Sequence, residues 1–207
     1  MAKAILFDID GVLLDSFDVN LKYFQTLMRH FGYKEPTAKE FEQVFFLPHI
    51  DAVMKLTGLN RNEVKEINET GLAADFPYDI DLLHTPKDAA EVLRKLKTQY
   101  TLGIVTSRTR NDIFNVKDLA AIKECFAVVV TYDDTSKHKP EPEPLLFAAK
   151  KLKVKPGECV YIGDAETDKQ AAEAAGMKAI IFARTAAGDI KVDTRSFSEI
   201  PKLIESL

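Results

Sequence analysis

Hydrophobic and polar positions alternate along this chain with two different periods. The opening stretch Ala4-Ile5-Leu6-Phe7-Asp8-Ile9-Asp10-Gly11-Val12-Leu13 is an apolar run that meets two carboxylates and a glycine. Consecutive apolar residues predict a strand buried on both faces, as in a parallel sheet with helices on either side. Gly11 ends it, because glycine turns freely through positive φ. From Asp15-Ser16 onward the spacing lengthens to three and four. Phe17, Leu21, Phe24, Leu27, Met28 and Phe31 predict an amphipathic helix that stops at Gly32, with Ser16 as its cap. Thr37 opens a second helix through Phe41 and Val44. Pro48 leads a third through Ile50, Val53, Met54 and Leu56, ending at Gly58. Asn60 or Asn62 opens a fourth around Val64 and Ile67. These helices, with no strand between them, form a block over residues 16–80 that closes in the loop-like Asp75-Phe76-Pro77-Tyr78-Asp79.

Strand and helix then alternate. Helices are predicted over Asp88 to Lys97, Arg110 to Ile122 (with a possible break), Glu141 to Leu152, Glu166 to Ala175 and Ser198 to Leu207, the last capped by Ser198. Strands are predicted over Tyr100 to Val105, Phe126 to Thr131, Cys159 to Ile162 and Lys178 to Phe182. This order implies an α/β fold, a doubly wound parallel sheet made by residues 1–15 and 81–207, with a small all-helical domain inserted after the first strand.

Composition narrows the class without changing this picture. A length of 207 residues suits one such core plus an insertion, and a net charge of −4 with no basic block speaks against a nucleic-acid partner. Cys125 and Cys159 lack metal-like spacing and sit in apolar runs, as buried thiols of a reducing compartment do. No apolar stretch is long enough for a membrane span, and no secretory pattern opens the chain, so a cytoplasmic location is expected.

The candidate chemistry lies where the predicted strands end, which is where open α/β sheets place their sites. Asp8 and Asp10 leave the first strand on one side of extended chain, about 7 Å apart from Cα to Cα. Two such carboxylates repel and resist burial, so a bound cation or a proton-carrying role would explain them. A calcium loop does not fit, because Val12, Leu13 and Leu14 follow where further acids belong. The second strand delivers Thr106 and Ser107. The Val160-Tyr161-Ile162 strand delivers Gly163-Asp164-Ala165-Glu166-Thr167-Asp168. Lys139 stands in the stiff His138-Lys139-Pro140-Glu141-Pro142.

In order, spacing and strand context, these four stretches resemble the four motifs of the haloacid dehalogenase-like superfamily, over nearly the whole chain. They resemble most the phosphoglycolate-phosphatase and β-phosphoglucomutase-like group, whose helical cap follows the first motif. The resemblance implies a Rossmann-like core and a Mg²⁺-dependent phosphatase of small phosphate monoesters. Asp8 would be the nucleophile that becomes an aspartyl-phosphate. Asp10 would be the acid and then the base, which requires it to carry a proton part of the time. Thr106, with Ser107 and neighbouring N–H groups, would hold the phosphoryl oxygens, and Lys139 would offset charge on Asp8 and the phosphate. Asp8, Asp164 and the Asp10 carbonyl would bind Mg²⁺, and Asp168 would support the metal's waters or Lys139. The inserted helices would act as a lid, hinged near Leu14-Asp15-Ser16 and Asp79-Ile80-Asp81.

Other residues stay open at this point. Arg108 is a substrate contact or a surface residue, Asn20 a substrate-facing or a solvated one. His138 reads as a structural neighbour and Glu166 as a helix N-terminal acid. Relatives often carry glycine in the loop that here reads Val44-Phe45-Phe46-Leu47-Pro48-His49, which leaves an apolar wall with His49 as a polar probe. A phosphomutase on the same scaffold is the alternative, disfavoured by the lack of a Lys/Arg cluster in the insertion. A receiver-like signalling module also joins an acidic pair to a lysine, but the insertion and the distant Gly163-Asp164 argue against it. The expected partner is a small phosphorylated metabolite, and the expected state a monomer or homodimer.

Overall fold

The structure is a computed structural model that describes residues 2–45, 47, 49–72, 78–110, 113–183 and 190–207. Phe46, Pro48 and the Asp75-Phe76-Pro77 part of the expected loop lie outside the described residues. Along the chain, strand β1 (Ala4–Phe7) is followed by helices α1 (Phe17–His30), α2 (Ala38–Glu42), α3 (His49–Thr57) and α4 (Lys65–Leu72). Then come α5 (Ala89–Lys97), β2 (Thr101–Val105), α6 (Lys117–Ala121), β3 (Phe126–Val130), α7 (Glu143–Leu152), β4 (Cys159–Gly163), α8 (Glu166–Ala174), β5 (Lys178–Ile181) and α9 (Ile200–Glu205). The chain divides into two compact units, Met1–Asp15 with Leu83–Leu207, and Ser16–Leu82.

The first unit holds a five-stranded parallel sheet in the order β3-β2-β1-β4-β5. Every residue of β1 is buried, as its unbroken apolar sequence requires of a central strand. Its side chains divide by parity. Ala4 and Leu6 join Leu145 and Ala148 of α7 and Ala171 and Ala172 of α8 in one core. Phe7 points to the other face, where it stacks on Phe197 at 6.2 Å, and Phe197 in turn meets Phe182. Gly103 lets the sheet close, because a Cβ there would lie 2.6 Å from Val128 Cγ1 and 2.8 Å from Leu6 Cδ2. The Asp15 N–H donates to the His84 carbonyl at 2.9 Å, so the chain leaves this unit beside the point where it returns.

The second unit packs Phe17, Phe24, Leu27, Phe41, Val53 and Val64 into its own core, with the Phe24 and Phe41 rings 5.2 Å apart. Thr37 caps α2 through a reciprocal bond pair with Glu40. Ser16 does not cap α1: its Oγ is buried without a hydrogen-bond partner among the described residues. Ser198 does not cap α9 either. Its hydroxyl meets Ser196 Oγ at 2.7 Å, and a 3₁₀ turn over Phe197–Glu199 precedes the helix. The helix expected from Arg110 is confined, among the described residues, to Lys117–Ala121; residues 111 and 112 lie outside them. Among the described residues, no helix is long and apolar enough to cross a membrane.

Candidate active site

Four loops at the carboxyl ends of neighbouring strands carry the expected residues. Asp8 follows β1 directly, and its backbone N–H donates to the Ile162 carbonyl at 2.9 Å, which extends the pairing of β1 with β4. Its Oδ1 accepts from the Ile9 N–H at 2.8 Å, and its Oδ2 lies 3.0 Å from Lys139 Nζ. Asp164 follows β4 in the same way. Its carboxylate rests against Gly11, where a Cβ would overlap both Oδ2 and Cγ outright. Gly11 therefore has two reasons to be glycine: its φ of 72° and this close approach.

Asp168, the third residue of α8, turns its carboxylate back over the helix start. Its Oδ2 accepts from the N–H groups of Asp164 and Ala165, both at 3.1 Å. Both donors lie just before the first turn of α8, so the contact fixes the loop that carries Asp164. Its Oδ1 takes Lys139 Nζ at 2.6 Å and the Tyr161 hydroxyl at 3.2 Å. Gly163 makes room for it, because a Cβ there would sit 2.6 Å from Asp168 Oδ2. Lys139 Nζ thus has three partners, Asp8, Asp168 and the Tyr161 oxygen at 3.0 Å, and its side chain is 7% exposed.

The electrostatics follow from this crowding. Burial pushes the Asp8 carboxyl up to about 7; Lys139 pulls against it, and Asp168 and Asp10 add to the rise. Burial, then the charges of Asp168 and Asp8, raise Asp164 well above the usual carboxylate range. Burial also works against the Lys139 ammonium, but Asp168 and Asp8 outweigh it and hold Lys139 well above the usual lysine range.

One oxygen each from Asp8, Asp164 and Asp168 lies within 4.8 Å of the others. The donor set fits Mg²⁺, which takes hard oxygen ligands, often one or two carboxylates together with water. Asp8 and Asp164 could serve as its ligands, because Asp168 already accepts from four donors, two on each oxygen, against one on each oxygen of Asp8.

Asp10 stands apart from that cluster. Arg108 meets it in a fork, Nε to Oδ2 at 2.8 Å and Nη2 to Oδ1 at 2.7 Å. The Arg108 N–H also donates to Thr106 Oγ1 at 3.2 Å. Arg108, open between two readings in the sequence, is therefore neither a bare surface residue nor aimed away from the site. Thr106 is buried at the end of β2, whereas Ser107 is exposed and lies outside these contacts.

Among the remaining candidates, His138 stacks on Tyr132 with ring centroids 3.6 Å apart. Glu166 is exposed and pairs with Gln170 at 3.3 Å. Within the helical unit, His49 Nδ1 bonds Asn68 Oδ1 at 2.8 Å, and its Nε2 meets the Tyr23 hydroxyl at 2.9 Å. Burial lowers its pKa, while the Asn68 bond raises it. Asn20 Oδ1 accepts from the Tyr78 hydroxyl at 3.2 Å.

The residue missed in the sequence is Tyr161. It is fully buried, its hydroxyl lies 3.1 Å from the Val105 carbonyl, and it bridges Lys139 to β2. The signal was a lone phenol inside an apolar strand, since a buried tyrosine hydroxyl needs partners.

Comparison with known proteins places this architecture. Pyrophosphatase PpaX of Bacillus cereus (strain B4264) is 31% identical over 190 residues, covering 90% of this chain and 85% of that protein. A Lactobacillus plantarum crystal structure, provisionally named a phosphoglycolate phosphatase, has a TM-score of 0.81 at 27% identity and covers 98% of this chain and 100% of that one. The crystal structure of a HAD-superfamily hydrolase from Geobacter sulfurreducens PCA has a TM-score of 0.74 at 28% identity, with coverage of 98% and 100%. Residues 5–182, which run from inside β1 to just past β5, match the model of the haloacid dehalogenase-like hydrolases, and it is to this family of enzymes that the chain belongs.

Proposed function

We propose that this hydrolase is a Mg²⁺-dependent phosphatase of small phosphate monoesters that works through an aspartyl-phosphate on Asp8. The observation that carries the reading is the buried cluster of Asp8, Asp164 and Asp168 within 4.8 Å, with Lys139 bonded to two of its members. Phosphoryl transfer depends mainly on positioning and charge neutralisation, and this cluster is built for both.

Asp8 and Asp164 would hold Mg²⁺, joined by the Asp10 carbonyl as the family resemblance implies. The bound ion would supply charge screening for an anionic phosphoryl group approaching a carboxylate. Lys139 adds positive charge beside Asp8, and Asp168 and Tyr161 keep its ammonium in place. Thr106 and nearby N–H groups orient the phosphoryl oxygens. An Asp8 oxygen attacks phosphorus, the phosphorus–ester oxygen bond breaks, and Asp10 gives the leaving oxygen a proton. Asp10 then takes a proton from water as the water oxygen attacks phosphorus. The phosphorus–Asp8 bond breaks, and phosphate leaves with the carboxylate restored.

Relatives named pyrophosphatase and phosphoglycolate phosphatase support a small phosphorylated metabolite as substrate. Inorganic pyrophosphate and phosphoglycolate therefore head the compounds to test. A phosphate-release screen with Mg²⁺, run beside Asp8→Asn, decides the matter. Wild type should release phosphate from at least one compound, and Asp8→Asn should lose about a thousandfold or more. Full activity in that variant would remove Asp8 as the nucleophile.

A further inference from the structure

We infer that Arg108 is a positioning residue for Asp10. It sets the rotamer of that carboxylate and so acts on phosphoryl transfer through Asp10 rather than by gripping the phosphate. The inference rests on the phosphatase reading above. Its basis is the fork itself: Nε on Oδ2 at 2.8 Å and Nη2 on Oδ1 at 2.7 Å. Two parallel bonds fix the plane of a carboxylate as well as its distance, which one donor cannot do.

The Asp10 side chain is 36% exposed, so packing covers only part of it and the fork adds a directional constraint. The Arg108 side chain, by contrast, is 14% exposed. Its backbone is tied at both ends, the N–H to Thr106 Oγ1 at 3.2 Å and the carbonyl to the Tyr132 N–H at 3.0 Å. The guanidinium therefore projects from an anchored loop after β2 and crosses to the loop after β1. It links the residue expected to hold phosphate, Thr106, to the residue expected to move protons, Asp10.

The experiment is a kinetic split on whichever phosphate ester wild type turns over fastest. Arg108→Ala should lower kcat about 10- to 100-fold, the range for a misplaced reacting group, and leave KM within about twofold. Arg108→Lys keeps the charge without the fork and should be nearly as slow as Arg108→Ala. In an Asp10→Asn background, Arg108→Ala should cost no more than about twofold further, because its route of action is gone. Millimolar guanidinium chloride should restore part of the Arg108→Ala rate, and sodium chloride at the same concentration should not.

A raised KM with intact kcat would make Arg108 a phosphate ligand and overturn the inference. An undiminished loss in the Asp10→Asn background, or wild-type kcat in Arg108→Lys, would overturn it too. Should Arg108→Ala fail to fold, Arg108→Lys decides alone. Active wild type with unaffected Arg108 variants sinks this inference only; a wild type that releases no phosphate from any ester sinks the phosphatase reading and this inference with it.

Discussion

Replacing Gly11 with alanine separates the geometry of the site from the stability of the fold. The new Cβ would overlap the Asp164 carboxylate and lie 3.0 Å from its Cβ. Because the Asp164 Cβ belongs to a fixed strand end, the carboxylate group has to swing away, by about the 1 Å that already costs a reacting group some 100-fold in rate. The backbone adds a second cost. At a φ of 72°, an alanine is strained by about 1–2 kcal/mol. In a chain of this size that lowers the melting temperature by roughly 2–8 °C. Gly176 supplies the control, with a φ of 70° in the same unit and nothing within 4 Å of its would-be Cβ. Gly176→Ala should therefore show the backbone cost alone. The expected result is similar melting for the two variants, with phosphate release and Mg²⁺ binding lost only in Gly11→Ala. Calorimetric Mg²⁺ titration beside a phosphate-release assay reads both. Equal activity in the two variants would refute the claim that the Gly11 gap exists to seat Asp164.

Two further outcomes follow from the same contacts. Tyr161→Phe keeps the ring and removes the hydroxyl that links Lys139 to the Val105 carbonyl; it should cost about 1–3 kcal/mol in urea unfolding and slow turnover about tenfold, and unchanged turnover would mean that Asp8 and Asp168 hold Lys139 unaided. The metal-free chain should lose stability as pH rises, because Asp8 titrates at about 7 when folded against 3.8 when unfolded. Below the lower value both states hold the proton, between the two only the folded state does, and above 7 the whole penalty is present, up to about 4 kcal/mol. His49, lowered by burial, slopes the other way, so the quantity to measure is wild type minus Asp8→Asn. In EDTA the urea midpoint of wild type should fall against that variant from pH 5 to 7, and Mg²⁺ should flatten the difference; parallel midpoints in EDTA would contradict the assignment.

What was legible in the sequence, and what was not, divides along physical lines. The strand of Asp8 was legible because a central parallel strand is buried on both faces, and few other settings tolerate four apolar residues in a row. The carboxylates were legible because strand ends place them without any knowledge of packing. The stretch after Arg110 misled because burial has no single cause. Ile113, Val116, Leu119 and Ile122 recur at a spacing of three and are all buried, yet Val116 is extended and the helix starts after it. A loop met the same apolar demand. Ser16 and Ser198 carry the right chemistry for caps, but at neither position does the side chain cap the helix. Arg108 was open because its partner is 98 residues away, and no local pattern encodes such a pairing.

The separation of the site into two charge groups gives the arrangement its meaning. Asp8, Asp164 and Asp168 bring three negative charges and Lys139 returns one positive, so the formal balance is two negative charges in a buried place. Burial of that excess is what raises Asp8 and Asp164. A monovalent cation would leave the group short, whereas a divalent one matches it and allows both carboxylates to ionise together. Asp10 adds to the same rise, but its own formal charge is offset by Arg108. On the phosphatase reading proposed above, an arriving phosphoryl group would meet Asp8 as nucleophile beside Lys139 and Asp10 as proton carrier held by Arg108. Two carboxylates only two residues apart can then differ in role without differing in kind, because Lys139 and Arg108 reach them from different loops.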